Sequence, residues 1–177
     1  MRRHSTREGQ KWAPGAYLRS IGVSHLDVLV ITNFDEDHAS GAPDLLRNNI
    51  TVGCLLGNPS VPAEVIEYLK TEDGMGPGIR LIATSLGGRK ASGYQDIWPA
   101  MTGLRANWFW NTYPGFDDEN NLSLVLFLEV HGVVFMFPGD MEKAGFQNLL
   151  RLRQDFRDWL PRVHVLEASH HGRRNGI

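Results

Sequence analysis

A single cysteine, Cys54, excludes an internal disulfide framework and a thiolate metal cluster. It lies in an apolar run and reads as a small core residue. No apolar run is long enough to span a bilayer. The N-terminal Met1-Arg2-Arg3-His4 leads into polar residues rather than an apolar signal core, so a cytoplasmic location is the expectation. Charge of one sign is also lacking. The 18 Lys and Arg face 20 Asp and Glu, and the net charge of −2 supplies no global field to recruit nucleic acid or membrane. The arginines near the C-terminus (Arg151, Arg153, Arg157, Arg162, Arg173, Arg174) are diluted by Asp155, Asp158 and Glu167 and read as a solvated face. No internal repeat is visible. Gly87-Gly88-Arg89-Lys90 lacks the glycine-lysine spacing of a phosphate-binding loop.

What is present suits one domain: 177 residues, 42% of them hydrophobic. Residues 1–11 are polar and are expected to form a flexible N-terminal segment, with the domain occupying 12–177. A short amphipathic helix is expected from Trp12 to Ile21, stopped by Gly22. Val28–Ile31 reads as a buried strand, followed by a helix over about 41–47. Val52–Leu56 is a second strand. A helix follows, with Val65, Ile66 and Leu69 on its apolar side. Ile79–Ala83 reads as a third strand, and Trp98–Trp110 as a strand through the alternation of Leu104, Ala106, Trp108 and Trp110. Leu122–Val130 and Val133–Pro138 form a hairpin turning at His131-Gly132. Apolar spacing from Met141 to Trp159 predicts one helix, ended by Pro161, and Val163–Ala168 is the last strand. This alternation argues for a layered α/β architecture.

Three of these strand ends run into ligand-type residues. The first delivers Asn33, Asp35, Asp37 and His38 within six positions; the second ends in Gly139-Asp140; the third ends in His170-His171-Gly172. Each has a plain structural reading. The first would be an acidic turn capping a helix, Asp140 the N-cap of the helix that follows it, and His-His-Gly a turn. Together they offer carboxylates and imidazoles able to hold one or two divalent ions. Such ions lower the pKa of a bound water and clamp a developing oxyanion.

Three stretches carry a resemblance. Leu26 to Gly41 is similar to the pattern D-x-L-V-I-S-H-x-D-x-D-H-x-x-G. Asn120-Asn121-Leu122-Ser123-Leu124-Val125 through Phe137-Pro138-Gly139-Asp140 is similar to N-x-x-S-L-V-L … G-D. Val165-Leu166-Glu167-Ala168-Ser169-His170-His171-Gly172 is similar to L-K-x-x-H-H-G. These patterns belong to the metallo-β-lactamase fold superfamily, and the chain resembles most closely the hydrolase domain of the DNA-uptake competence protein ComEC and its stand-alone relatives. The resemblance runs from about residue 12 to the end.

It implies an α+β (α/β) fold, an αββα sandwich with a metal site at one edge. Asp37, His38, bridging Asp140 and one histidine of the pair His170/His171 would hold one ion, with His170 as the expected ligand and His171 behind it. A second ion would take Asn33, Asp35, Asp140 and Asn121. The implied cofactor is Zn²⁺, alternatively Mn²⁺ or Mg²⁺, as one or two ions. The implied activity is hydrolysis of a phosphodiester or related ester, on a small molecule or nucleic acid, through a metal-bound hydroxide, with Asp37 and Asp140 catalytic. Substrate choice would fall to loops 84–100 and 111–121. Two departures stand out. The family has His where this chain has Asn33, which favours an oxygen-binding metal and opens a second reading, a non-catalytic metal-binding or structural member. The fold also normally carries strands upstream of residue 12 and further strands and a helix beyond His-His-Gly. The expectation is thus a domain truncated at both ends: a fragment, a product of a shifted frame, or a member whose open sheet edges are covered by a second copy or a partner chain.

Overall fold

The structure is a computed structural model that describes residues 13–72, 74–87 and 97–176. The expected segment 1–11, Trp12 and the glycine-rich stretch 88–93 lie outside the described residues.

Helix α1 (Pro14–Ser20) leads into strand β1 (His25–Val30), which pairs in parallel with β2 (Thr51–Leu56), Val28 opposite Cys54 and Val30 opposite Leu56. Between them lie the short helices α2 (Glu36–Ala39) and α3 (Ala42–Arg47). Helices α4 (Ala63–Leu69) and α5 (Pro77–Gly87) follow β2. The second sheet has the order β3 (Leu104–Trp110), β4 (Leu124–Val130), β5 (Val133–Phe137), β6 (Val165–Leu166). Helices α6 (Lys143–Leu152) and α7 (Gln154–Trp159) connect β5 to β6. The expected hairpin is present: β4 and β5 pair antiparallel across His131 (φ 48) and Gly132 (φ 85), and two positive φ values at the centre match the twist of the strands.

Side-chain parity sets the layers. Val28, Val30 and Leu56 face one way and pack with Leu124, Leu126, Ala106, Trp108 and Phe137 of the second sheet. Leu29 and Leu55 face the other way, into a core with Ala42, Ile66, Ile79 and Ile82 of the helices. The opposite face of the second sheet, Phe109, Val125, Phe127 and Met136, packs on Leu149 and Phe156 of α6 and α7. The order is helix, sheet, sheet, helix, an α+β fold. One hydrogen bond, Leu124 N–H to the Thr32 carbonyl at 2.8 Å, ties the end of β1 to the start of β4. No helix among the described residues is long and apolar enough to cross a membrane.

The sequence reading needs three corrections. Ile79–Ala83 is the middle of helix α5, not a strand. Its N-terminus carries Pro77, and the Glu36 carboxylate accepts the N–H groups of Gly78 and Ile79, both at 3.0 Å. The single helix expected over 141–160 is two, because Arg153 takes an extended conformation (φ −117, ψ 103) between α6 and α7. The last strand is only Val165–Leu166, in parallel register with Phe135 and Met136.

A second carboxylate caps from a distance. Asp44 of α3 accepts Gly15 N–H at 2.7 Å and Ala16 N–H at 3.2 Å, closing the first turn of α1. Burial pushes its carboxyl up, but the Ala16 and Gly15 N–H groups and Arg47 outweigh this and hold it below the ordinary 3.8. A lowered folded pKa stabilises above the unfolded value and loses that effect as pH falls through the folded one. Asp44→Asn is therefore expected to lower the melting temperature at pH 7, with the difference from the native chain closing as pH falls below 3.8 in an acid melting series.

Candidate metal centre

The three expected strand ends meet on one side of the two sheets. After β1 the chain turns at Thr32-Asn33 and enters α2, which carries Asp37 and His38. Asp35 is the N-cap residue of α2, yet its side chain makes no capping bond. After β5, Gly139 (φ +59) lets the chain pass Thr32 and Ser123 closely. A Cβ there would stand 3.0 Å from the Thr32 Cβ and 3.3 Å from that of Ser123. The next residue, Asp140, is 4% exposed and donates its N–H to the Ser123 hydroxyl at 3.2 Å. It does not cap α6; the N-cap residue there is Glu142. After β6, His170 N–H bonds the Gly139 carbonyl at 3.1 Å, fastening the third strand end to the second. His170 (φ 48, ψ 48) and His171 (φ 53, ψ 26) are both left-handed. Two consecutive non-glycine residues in that region cost about 1–2 kcal/mol each. Strain of this kind gathers at functional sites.

Asp37, His38, Asp140 and His171 each present one ligand atom, and these atoms all lie within 4.8 Å of one another. His38 Nε2 is 3.0 Å from Asp140 Oδ1 and 4.0 Å from Asp37 Oδ1. His171 Nε2 is 3.1 Å from Asp37 Oδ2 and 3.7 Å from Asp140 Oδ2. Ligands about 2.1 Å from a tetrahedral ion stand about 3.4 Å apart; the four His–Asp pairs span 3.0–4.0 Å and the whole group closes to within 4.8 Å. His38 Nε2 is buried and lacks a well-directed hydrogen bond in spite of its nearness to Asp140. Its other ring nitrogen sits 3.4 Å from the Thr32 hydroxyl, which leaves Nε2 aimed at the carboxylates. A buried imidazole nitrogen without a proton partner, facing two carboxylates, fits a cation better than it fits protein alone. Two imidazoles and two carboxylates form a set that could hold a divalent metal.

The structure divides the seven expected ligands. It brings together Asp37, His38 and Asp140. The two histidines take places opposite to those expected: His171 joins the group, while His170 stands behind it. His170 is 5% exposed, with Nε2 3.9 Å from Asp140 Oδ2 and 3.1 Å from an Arg173 guanidinium nitrogen, and Nδ1 3.3 Å from Glu142 Oε1. Adjacent histidines look alike in sequence; in the structure the left-handed turn sets His171 toward Asp37 and His170 toward Glu142.

Asp35 stands outside the group. Its carboxylate pairs with the Lys70 ammonium, which also reaches Glu119 at 2.8 Å. Burial draws the Lys70 pKa down, but the hydrogen bonds to Asp35 and Glu119 outweigh it and raise the pKa above 10.5. Asn121 is spent on structure. Its amide nitrogen donates to Asp118 at 3.1 and 3.2 Å, and its oxygen, the atom a metal would use, accepts Gly145 N–H at 2.8 Å in the first turn of α6. Asn33 is fully buried. Its amide nitrogen donates to Asn120 Oδ1 at 3.3 Å and its oxygen has no hydrogen-bond partner. Lys70 was not foreseen: a lysine following an apolar helix face carries no signal that it will be buried.

Comparison with known proteins gives one relative: the chain is 26% identical over 160 residues to ComE operon protein 3 of Bacillus subtilis (strain 168). The match covers 88% of this chain and 18% of that protein, so the chain spans less than a fifth of the relative's length. No family model matches. No solved structure matches.

Proposed function

We propose that the chain is a metal-dependent hydrolase domain of the metallo-β-lactamase type, competence-related, acting on a phosphodiester or related ester. The observation that carries this reading is the convergence of Asp37, His38, Asp140 and His171 from three separate strand ends, with the buried His38 Nε2 unsatisfied among them. The helix–sheet–sheet–helix order and the likeness to ComE operon protein 3 support it.

A divalent ion held there, Zn²⁺ or Mn²⁺, supplies Lewis acidity toward a phosphoryl oxygen and toward a water. The residues do the rest. Asp140, buried, would hold the ion at the edge of the two sheets. His38 is oriented by Thr32 and directs Nε2 inward. Asp37, its side chain 61% exposed, and His171, 51% exposed, form the open side, where a substrate can enter. Asp37, whose Oδ2 is 3.1 Å from His171 Nε2, would accept a proton from an attacking water or hold that water in line. Substrates on this reading are phosphodiesters of small-molecule or nucleic-acid origin.

The test is hydrolysis of a chromogenic bis(nitrophenyl) phosphodiester by the chain loaded with Zn²⁺ or Mn²⁺. Turnover that chelator abolishes and added metal restores is the expected result. Metal-loaded protein without turnover on this ester or on single-stranded DNA would favour the second reading, a non-catalytic metal-binding or structural member. Asn33 in the family's histidine position and the closure of Asp35 by Lys70 are the observations on that side.

A further inference from the structure

Two of the four residues reserved by resemblance for a second ion are already committed, although the buried Asn33 oxygen has no partner. Of Asn33, Asp35, Asp140 and Asn121, the Asn121 oxygen is used by Gly145 N–H, and Asp35 already holds a cation, the Lys70 ammonium. The Lys70 side chain is 6% exposed, and its second partner, Glu119, lies at 2.8 Å and is 22% exposed. A lysine is buried this deeply only when its charge is matched, and here two carboxylates from different parts of the chain match it. Lys70 arrives from the end of α4, Asp35 from the start of α2, and Glu119 from the loop before β4. The same loop continues through Asn120, which accepts a hydrogen bond from Asn33 and donates one to Glu142. The clamp is thus part of the scaffold beside the metal centre.

Resting on the metal-centre reading above, we propose that Lys70 is a built-in monovalent cation standing where a second metal ion would bind, so that this chain is a one-ion protein. Asp35 Oδ1 and Glu119 Oε1 are engaged by the ammonium, which stands between the two carboxylates in the place of a divalent ion. One ammonium against two carboxylates leaves the clamp with a net charge of −1, where a divalent ion would leave it neutral. Removing the ammonium leaves two carboxylates facing each other with no counter-charge, an oxygen-rich pair suited to Mn²⁺.

The experiment is ion stoichiometry. Native chain, Lys70→Ala, Lys70→Ala/Asp35→Asn, Asp35→Asn and Asp37→Asn are each equilibrated with excess Mn²⁺, gel-filtered, and analysed by plasma mass spectrometry. Melting is followed with and without Mn²⁺. The native chain is expected to hold one ion, Asp35→Asn still one, and Asp37→Asn none. Lys70→Ala is expected to melt lower than native without metal, to recover when Mn²⁺ is added, and to hold a second ion that the added Asp35→Asn removes. Two ions in the native chain overturn the proposal, as does loss of the native ion in Asp35→Asn. These arms do not depend on Lys70→Ala folding. A folded Lys70→Ala that holds one ion and shows no further Mn²⁺-dependent stabilisation also overturns it. No ion in the native chain overturns instead the metal-centre reading beneath it, and the proposal with it.

Discussion

Asp140→Ala is expected to abolish ion binding and with it the hydrolysis proposed above. Asp140 is the buried carboxylate of the group and faces both histidines, His38 at 3.0 Å and His171 at 3.7 Å. Without it the remaining donors come from α2 and from the turn after β6, which meet only through the His171–Asp37 contact at 3.1 Å among the ligand atoms. Removing a residue that merely supports a ligand costs about 10–100-fold in metal affinity. Loss of a buried central ligand is expected to exceed about 100-fold, measured by competition with a chromogenic chelator. The fold should survive. The Asp140 side chain makes no capping bond, and the strand end is held by backbone, through Asp140 N–H to Ser123 and His170 N–H to Gly139. The decisive signature is therefore differential. Excess Zn²⁺ raises the melting temperature of the native chain and leaves that of Asp140→Ala unmoved, because a ligand stabilises only the state that binds it. Equal metal-dependent shifts in both proteins would remove Asp140 from the centre.

The largest loss of stability is expected far from the metal group, at Phe127. Its ring is fully buried on β4, edge-to-face with Phe109 at 5.7 Å and with Phe156 at 5.7 Å, and tilted against Trp159 at 5.6 Å. Phe109 and Phe156 close the cluster at 5.2 Å. This cluster joins the second sheet to α6 and α7. Phe127→Ala is expected to cost about 3–5 kcal/mol, the transfer energy of the ring plus the cavity it leaves. Urea titration should show this as a lower midpoint with an unchanged slope. A loss under about 1.5 kcal/mol, the scale of a volume-conserving swap, would mean that the cluster repacks.

These two residues mark what the sequence displays and what it hides. Phe127 sits in an alternating apolar run, and period-two patterning placed it in a strand whose pairing the structure confirms. Asp140 is visible for a related reason: it ends an apolar strand, as do Asp37 with His38 and His170 with His171, and strand ends in layered folds converge. What stayed hidden was contact between residues distant in sequence. The apolar run Ile79–Ala83 is too short to separate strand from buried helix by its pattern. The deciding partner is Glu36, 42 residues upstream of Gly78, whose carboxylate caps the helix. Lys70 was hidden in the same way, since its meaning rests on Asp35 and Glu119. The exchange of His170 and His171 depends on two left-handed backbone positions, which neither residue type foretells. Asn121 was read as a ligand from its motif, while its oxygen is committed to the backbone of α6.

The central claim is that Asp37, His38, Asp140 and His171 hold a single divalent ion. Its most direct test is metal content after dialysis against Zn²⁺ and Mn²⁺, for the native chain, His171→Ala and His170→Ala. The account predicts about one ion per native chain, lost in His171→Ala and retained in His170→Ala, in keeping with outer partners that weaken binding without abolishing it. A native chain that takes up no ion from excess Zn²⁺ or Mn²⁺ would contradict it, and so would loss of the ion in His170→Ala alone.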